Sequence, residues 1–172
     1  MDGYVQLYTN DAQYYNYNFL VAYNDTYAAT YLTSSTVLEI TAMKKSGAVG
    51  PGYGVAFGYQ DSMNFYNIFI AIDGTYNVYK RVNGSYIQIQ DWTSSSALLT
   101  GYDQANVIKV LYTGTGTYDV YFNGVKVTTI TDTAFVGGKA GFSVYIGSSA
   151  NENFPGTPED CRFKMAQPVS IP

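Results

Sequence analysis

YGVAFGYQDSMNFYNIFIAIDGTYNVYKRVNG, residues 53–84, spells three strands and three turns without a gap, and the rest of the chain can be read outward from it. Tyr53, Val55, Phe57 and Tyr59 alternate with Gly54, Ala56, Gly58 and Gln60, the period of two expected of a strand with one bulky and one small face. Gln60-Asp61-Ser62 turns the chain. Residues 65–72 are apolar on both faces apart from Asn67, which predicts a central strand covered on each side, and Asp73-Gly74 closes it as a hairpin. In the third strand Tyr76, Val78, Lys80 and Val82 lie on one side and Asn77, Tyr79 and Arg81 on the other. Asn83-Gly84 then supplies a turn pair of the kind that accepts positive φ.

The same grammar continues on both sides of this meander. Upstream, strands are predicted at residues 4–8, 19–23, 27–32 and 37–45, the last with Leu38, Ile40 and Ala42 as its covered side. Tyr14, Tyr15 and Tyr17 break the alternation and read as rings packed over a sandwich edge. Downstream, a strand at 86–92 and a loop at 97–104 lead into a second meander. Its strands fall at 107–113, 118–122 and 125–131, around Gly114-Thr115-Gly116 and Asn123-Gly124. Strands at 139–146 and 161–165 close the domain. About a dozen short strands and no segment of helical period predict an all-β fold, two antiparallel sheets in a jelly-roll sandwich; an Ig-like sandwich would need fewer strands. Residues 1–166 form the domain in this reading, and 167–172, with Pro at both ends of a short run, a linker or tail.

Composition narrows the function. At 172 residues a single domain buries roughly 70% of the surface its unfolded chain exposes, so it needs no covalent staple. The one Cys, Cys161, cannot pair internally, and with no His in the chain it lacks the usual partner of a catalytic thiol. Ser-His-Asp chemistry and a His-built zinc site are closed for the same reason. Charged residues make up only 13%, the net charge is −4, and Tyr contributes 19 residues. Lys and Arg are scattered, with no basic stripe, which argues against nucleic acid; no apolar run reaches spanning length, which argues against membrane insertion. A polar but weakly charged surface suits an extracellular or cell-surface protein. That location supposes an export signal removed ahead of Met1-Asp2-Gly3, where neither a basic nor an apolar leader stands.

GYGVAFGYQDSMNFYNIFIAIDGTYNVYKRVNG, then IQDWTSSSAL, ANVIKVLYTGTGTYDVYFNGVKVTTITD, GGKAGFSV and DCRFKM, resembles the concanavalin A-like lectin and glucanase jelly rolls of the laminin-G-like and 3-keto-disaccharide hydrolase-like kind. The match runs from about Val37 to Met165, and its most specific pieces are Tyr59 to Tyr66, Asp91 to Thr93 and Phe122 to Val127. The resemblance implies a two-sheet sandwich, commonly exported, that recognises glycans or adheres beside neighbouring domains, and sometimes serves a carbohydrate-active enzyme. Sandwiches of this kind often clip their terminal strands with a calcium ion, for which Glu159 or Asp160 would supply the carboxylate; the alternative reading of these residues is a solvated loop acid.

A glycosidase of this kind needs two carboxylates about 5 to 9.5 Å apart across the scissile bond. The glutamates here are Glu39, Glu152 and Glu159, none in a Glu-x-Asp-x-x-Glu cluster, while Asp61, Asp73, Asp91 and Asp132 are read as turn residues bonding backbone. A binding module asks for aromatic rings against sugar faces and amides for hydroxyls. Tyr59, Tyr66, Tyr79, Tyr86 and Trp92 are the candidate rings, with Asn67, Asn77, Gln88 and Gln90 as polar partners. Any single tyrosine among them has a plainer role as a half-buried sandwich residue. The expected function is therefore a non-catalytic carbohydrate-binding or adhesion module for a glycan or surface polysaccharide, with homo-oligomers or neighbouring domains as further partners. A structural or attachment subunit of a cell surface, filament or virion is the alternative, and a glycoside hydrolase-related domain the second.

Overall fold

The computed structural model of the chain describes residues 4–9, 19–22, 36–47, 49–50, 52–145, 159–166 and 169–170. Its strands are β1 (Val5–Thr9), β2 (Phe19–Ala22), β3 (Thr36–Ser46), β4 (Tyr53–Asp61), β5 (Asn64–Ile70), β6 (Thr75–Val82) and β7 (Ser85–Ser94), then β8 (Asn106–Gly114), β9 (Thr117–Phe122), β10 (Val125–Thr131), β11 (Lys139–Tyr145), β12 (Glu159–Met165) and β13 (Val169–Ser170). The strand expected at 27–32, and Tyr14, Tyr15 and Tyr17, lie outside the described residues. All pairings are antiparallel. A seven-stranded sheet runs β1-β12-β3-β8-β9-β10, with β13 also paired to β3, and a six-stranded sheet runs β2-β11-β4-β5-β6-β7.

The side chains the alternation sends inward from the two sheets meet in one core. Tyr53, Val55 and Phe57 of β4 and Tyr66, Ile68 and Ile70 of β5 face Ile108, Val110, Tyr118, Val120 and Phe122 of β8 and β9. Rings lock the layers together: Phe142 stacks on Phe163 at 4.9 Å, and Tyr76 meets Phe122 edge-on at the same distance. Such pairs each add about 0.5–1.5 kcal/mol beyond the area they bury. Asn83-Gly84 and Asn123-Gly124 take positive φ at both residues, as two-residue hairpins with right-twisted strands require.

One departure from simple alternation matters for function. Gly58 adopts φ +59 and the β4 registers with β5 and β11 both shift around it, so β4 carries a bulge. A Cβ on Gly58 would point at the Tyr66 ring and the Phe135 Cβ, on the inner side, so Tyr59 swings outward instead of following Phe57 into the core. There it stacks on Phe65 at 5.8 Å.

Candidate functional site: the outer face of the six-stranded sheet

Directly opposed residues on neighbouring strands share a face, so the register assembles the outer surface row by row. One row runs Ser143, Gly54, Phe69, Asn77; the next Gly141, Ala56, Asn67, Tyr79, Gln88; the third Phe65, Arg81, Tyr86. Over β4 and β11 these positions are Gly, Ala or Ser, which leaves a low floor between taller rings. Tyr59 and Phe65 wall it at one end. At the other, Phe69 packs 6.2 Å from Tyr145, and the Trp92 ring reaches over Gly52 beside Phe69.

The floor is polar and closed to solvent. Asn67 and Asn77 are each 1% exposed and Ser143 is fully buried. Among the described residues neither the amide nitrogen nor the oxygen of Asn67 has a hydrogen-bond partner, and the Asn77 side-chain oxygen and the Ser143 hydroxyl also lack one. A buried polar atom left unpaired costs about 1–3 kcal/mol, so a face that keeps four of them carries a standing demand for hydrogen bonds.

Charge enters at the Trp92 end. The β6–β7 register jumps between Tyr76 opposite Thr93 and Val78 opposite Gln90, so Asn77 faces the bulged pair Asp91 and Trp92. Burial raises the Tyr79 hydroxyl above the ordinary phenol range, and the Asp91 charge and Tyr145 push the same way against a hydrogen bond from Asn77. At the opposite end the Arg81 guanidinium sits 5.0 Å over the Tyr86 ring, while its Nε donates to Gly84 O and its Nη1 to Ser62 O.

Of the residues singled out from sequence, Tyr59, Asn67, Asn77, Tyr79, Tyr86, Gln88 and Trp92 come together on this face. Tyr66 does not. It follows Phe65 and precedes Asn67 in one strand, so it faces inward, fully buried, where its hydroxyl donates to Asp132 Oδ1 at 2.7 Å and accepts from Phe135 N. Gln90 is likewise turned away, its Oε1 accepting from the Thr128 hydroxyl of the other sheet. Asp91, read as a turn residue, lies within β7. Phe65, Phe69, Ser143, Tyr145 and Asp91 were not picked out. The strand pattern carried a signal for the first four, but none for Asp91, whose place depends on the bulge.

Glu159 and Asp160, expected as calcium ligands, are each engaged by a cation of the chain. Glu159 is buried against Lys44, with Nζ and Oε2 2.7 Å apart, and Asp160 pairs with Arg162 at 3.3 Å. Among the described residues no group of three or more Asp, Glu or Cys could hold an ion.

No protein-family model matches the sequence, and neither does any curated protein. Solved structures do match in shape. The carbohydrate-binding module CBM66 from Bacillus subtilis superposes with a TM-score of 0.65 at 14% identity, over 99% of this chain and 97% of its own. The fold is a concanavalin A-like jelly roll. A mutant of the GH43 protein BlXynB from Bacillus licheniformis contains a similar jelly roll. It matches with a TM-score of 0.62 at 13% identity, over 98% of this chain but 33% of that protein. CG-16, a homodimeric agglutinin from chicken liver, matches with a TM-score of 0.53 at 13% identity, over 88% of this chain and 98% of its own.

Proposed function

We propose that this jelly roll is a non-catalytic carbohydrate-binding or adhesion module that works outside the cytoplasm. The observation that carries the reading is the Asn67 amide, with both polar atoms buried and unpaired between aromatic walls. Sugar hydroxyls donate and accept, and the apolar faces of a pyranose or furanose ring suit the exposed Tyr86 and Trp92 rings at the two ends of the face. A carbohydrate-binding module and an agglutinin with the same fold support it. Catalysis draws no support from this face, where Asp91 stands without the second carboxylate a glycosidase would need among the described residues.

The attachment-subunit reading rests on assembly through a free sheet edge. Of the strands that end the two sheets among the described residues, β7 and β10 carry register shifts and are poor templates for another strand, whereas β1 and β2 pair without a shift. A glycan array spanning plant, microbial and host glycans tests the binding reading. Specific signals that vanish with Asn67→Leu are expected. Silence from the folded protein, or signals indifferent to that substitution, would sink it.

A further inference from the structure

The sequence holds nine Lys and Arg, and every one lies among the described residues, so each cation can be placed. Lys44 is buried with Glu159, and Lys45 pairs with Asp103. Lys80 is bound to Asp132 inside the sandwich. Lys109, Lys126, Arg162 and Lys164 belong to β8, β10 and β12 of the other sheet. That leaves Arg81 and Lys139 on the six-stranded sheet. Both stand at the Tyr59–Phe65 end, Arg81 opposite Phe65 and Lys139 opposite Tyr59.

Asp91 stands at the other end. It faces Asn77, four residues along β6 from Arg81, a run of about 13 Å at the usual strand rise. Its Oδ1 accepts from the N–H of Trp92, and its other oxygen takes no hydrogen bond or ion pair from the described residues. Around it lie Trp92, Phe69, Tyr145 and Tyr79, whose ring faces are themselves electronegative. A carboxylate without a counter-cation among the described residues, set among aromatic rings, is a place for a cationic donor.

We propose that the outer face selects its glycan by charge, taking an amino sugar with its protonated amine at the Asp91 end and rejecting uronate or sulfate groups there. The amine donates to the free oxygen of the Asp91 carboxylate while the exposed Trp92 ring holds the apolar side of the sugar. This inference rests on the glycan-binding reading and refines it to a substrate class.

The test titrates the purified chain with four oligosaccharides of equal length: a deacetylated chitosan oligomer, the N-acetylated chitin oligomer, a cello-oligomer and an oligogalacturonate. Calorimetry, or fluorescence of the single Trp92, reads the binding. An exposed ion pair reinforced by cation–π contact gives roughly three- to tenfold tighter binding of chitosan than of chitin at low salt. The gap should close in Asp91→Asn, and should narrow in 1 M salt, where the screening length falls to about 3 Å. Oligogalacturonate should bind weakest. Equal binding of chitosan and chitin, no binding of chitosan, tight binding of galacturonate, or a preference that survives Asp91→Asn would each overturn the inference. None of these outcomes touches the glycan-binding reading, which falls on a silent array or on signals indifferent to Asn67→Leu.

Discussion

Asn67 can be judged by what its loss would do to stability. A residue kept for the fold repays its burial with contacts; Asn67 keeps two polar atoms buried and unpaired in the middle of β5. Replacing it with the similarly sized Leu removes that penalty, so Asn67→Leu should unfold at the same or a higher urea midpoint, by up to about 1–3 kcal/mol, while glycan binding is lost. A marked fall in the midpoint would assign Asn67 to the fold and not to a ligand. The sequence flagged this residue because it is the one polar side chain in an otherwise apolar run, and Asn77 and Tyr79 because strict alternation in β6 puts them on one side. Alternation also separates Tyr66 from its neighbour Asn67. The two cannot share a face in a strand, and grouping them by composition alone was the error.

At the scale of elements, the strands and hairpins were legible because their signals are local. Asn-Gly pairs name the β6–β7 and β9–β10 turns, and period two names each strand between them. Bulges leave no such mark. Gly58 reads as a small residue in a regular strand until its φ of +59 is known, and only then does Tyr59 change sides. The bulge that brings Asp91 and Trp92 opposite Asn77 is equally silent, since it depends on how β6 and β7 slide past each other. Gly58→Ala tests the first of these. Its Cβ would lie 2.8 Å from a Tyr66 ring carbon at a φ that side chains resist, at a cost of about 1–3 kcal/mol. The variant should unfold at a lower urea midpoint and bind glycan more weakly, because Tyr59 loses its stack on Phe65. Unchanged affinity would remove Tyr59 from the site.

For the whole molecule, the absence of His leaves no side chain with an ordinary pKa near neutrality, so the side chains should hold stability level across that range and lower it at both ends. The acid side follows from Asp61, Asp119 and Asp132, all held below the ordinary 3.8. For Asp132 burial alone would raise the value, but the Lys80 ammonium, the Ala134 N–H and the Tyr66 hydroxyl outweigh it. A depressed carboxyl stabilises the fold above its unfolded pKa and ceases to as pH drops through the folded one, so the loss begins as pH approaches 3.8 from above.

On the alkaline side the signs reverse. Burial lifts the Cys161 thiol from 9.0 to about 12, with Glu159 and Asp160 adding to it and Lys44 opposing, and burial also lifts Tyr53 and Tyr118 from 10.0 to about 12. Each of these groups holds its proton more tightly folded than unfolded, so each favours the fold below its unfolded pKa and loses that contribution up to the folded one. Cys161 starts first, at about 9, and its shift corresponds to on the order of 4 kcal/mol spread between pH 9 and 12. Cys161→Val should therefore delay the onset of alkaline destabilisation from about pH 9 to about pH 10, where the tyrosines begin, leaving the acid side unchanged. Urea midpoints measured from pH 3 to pH 12 for both proteins decide it. Coincident alkaline limbs would mean that the Cys161 thiol titrates alike in the folded and unfolded chain, and that the core around it admits water.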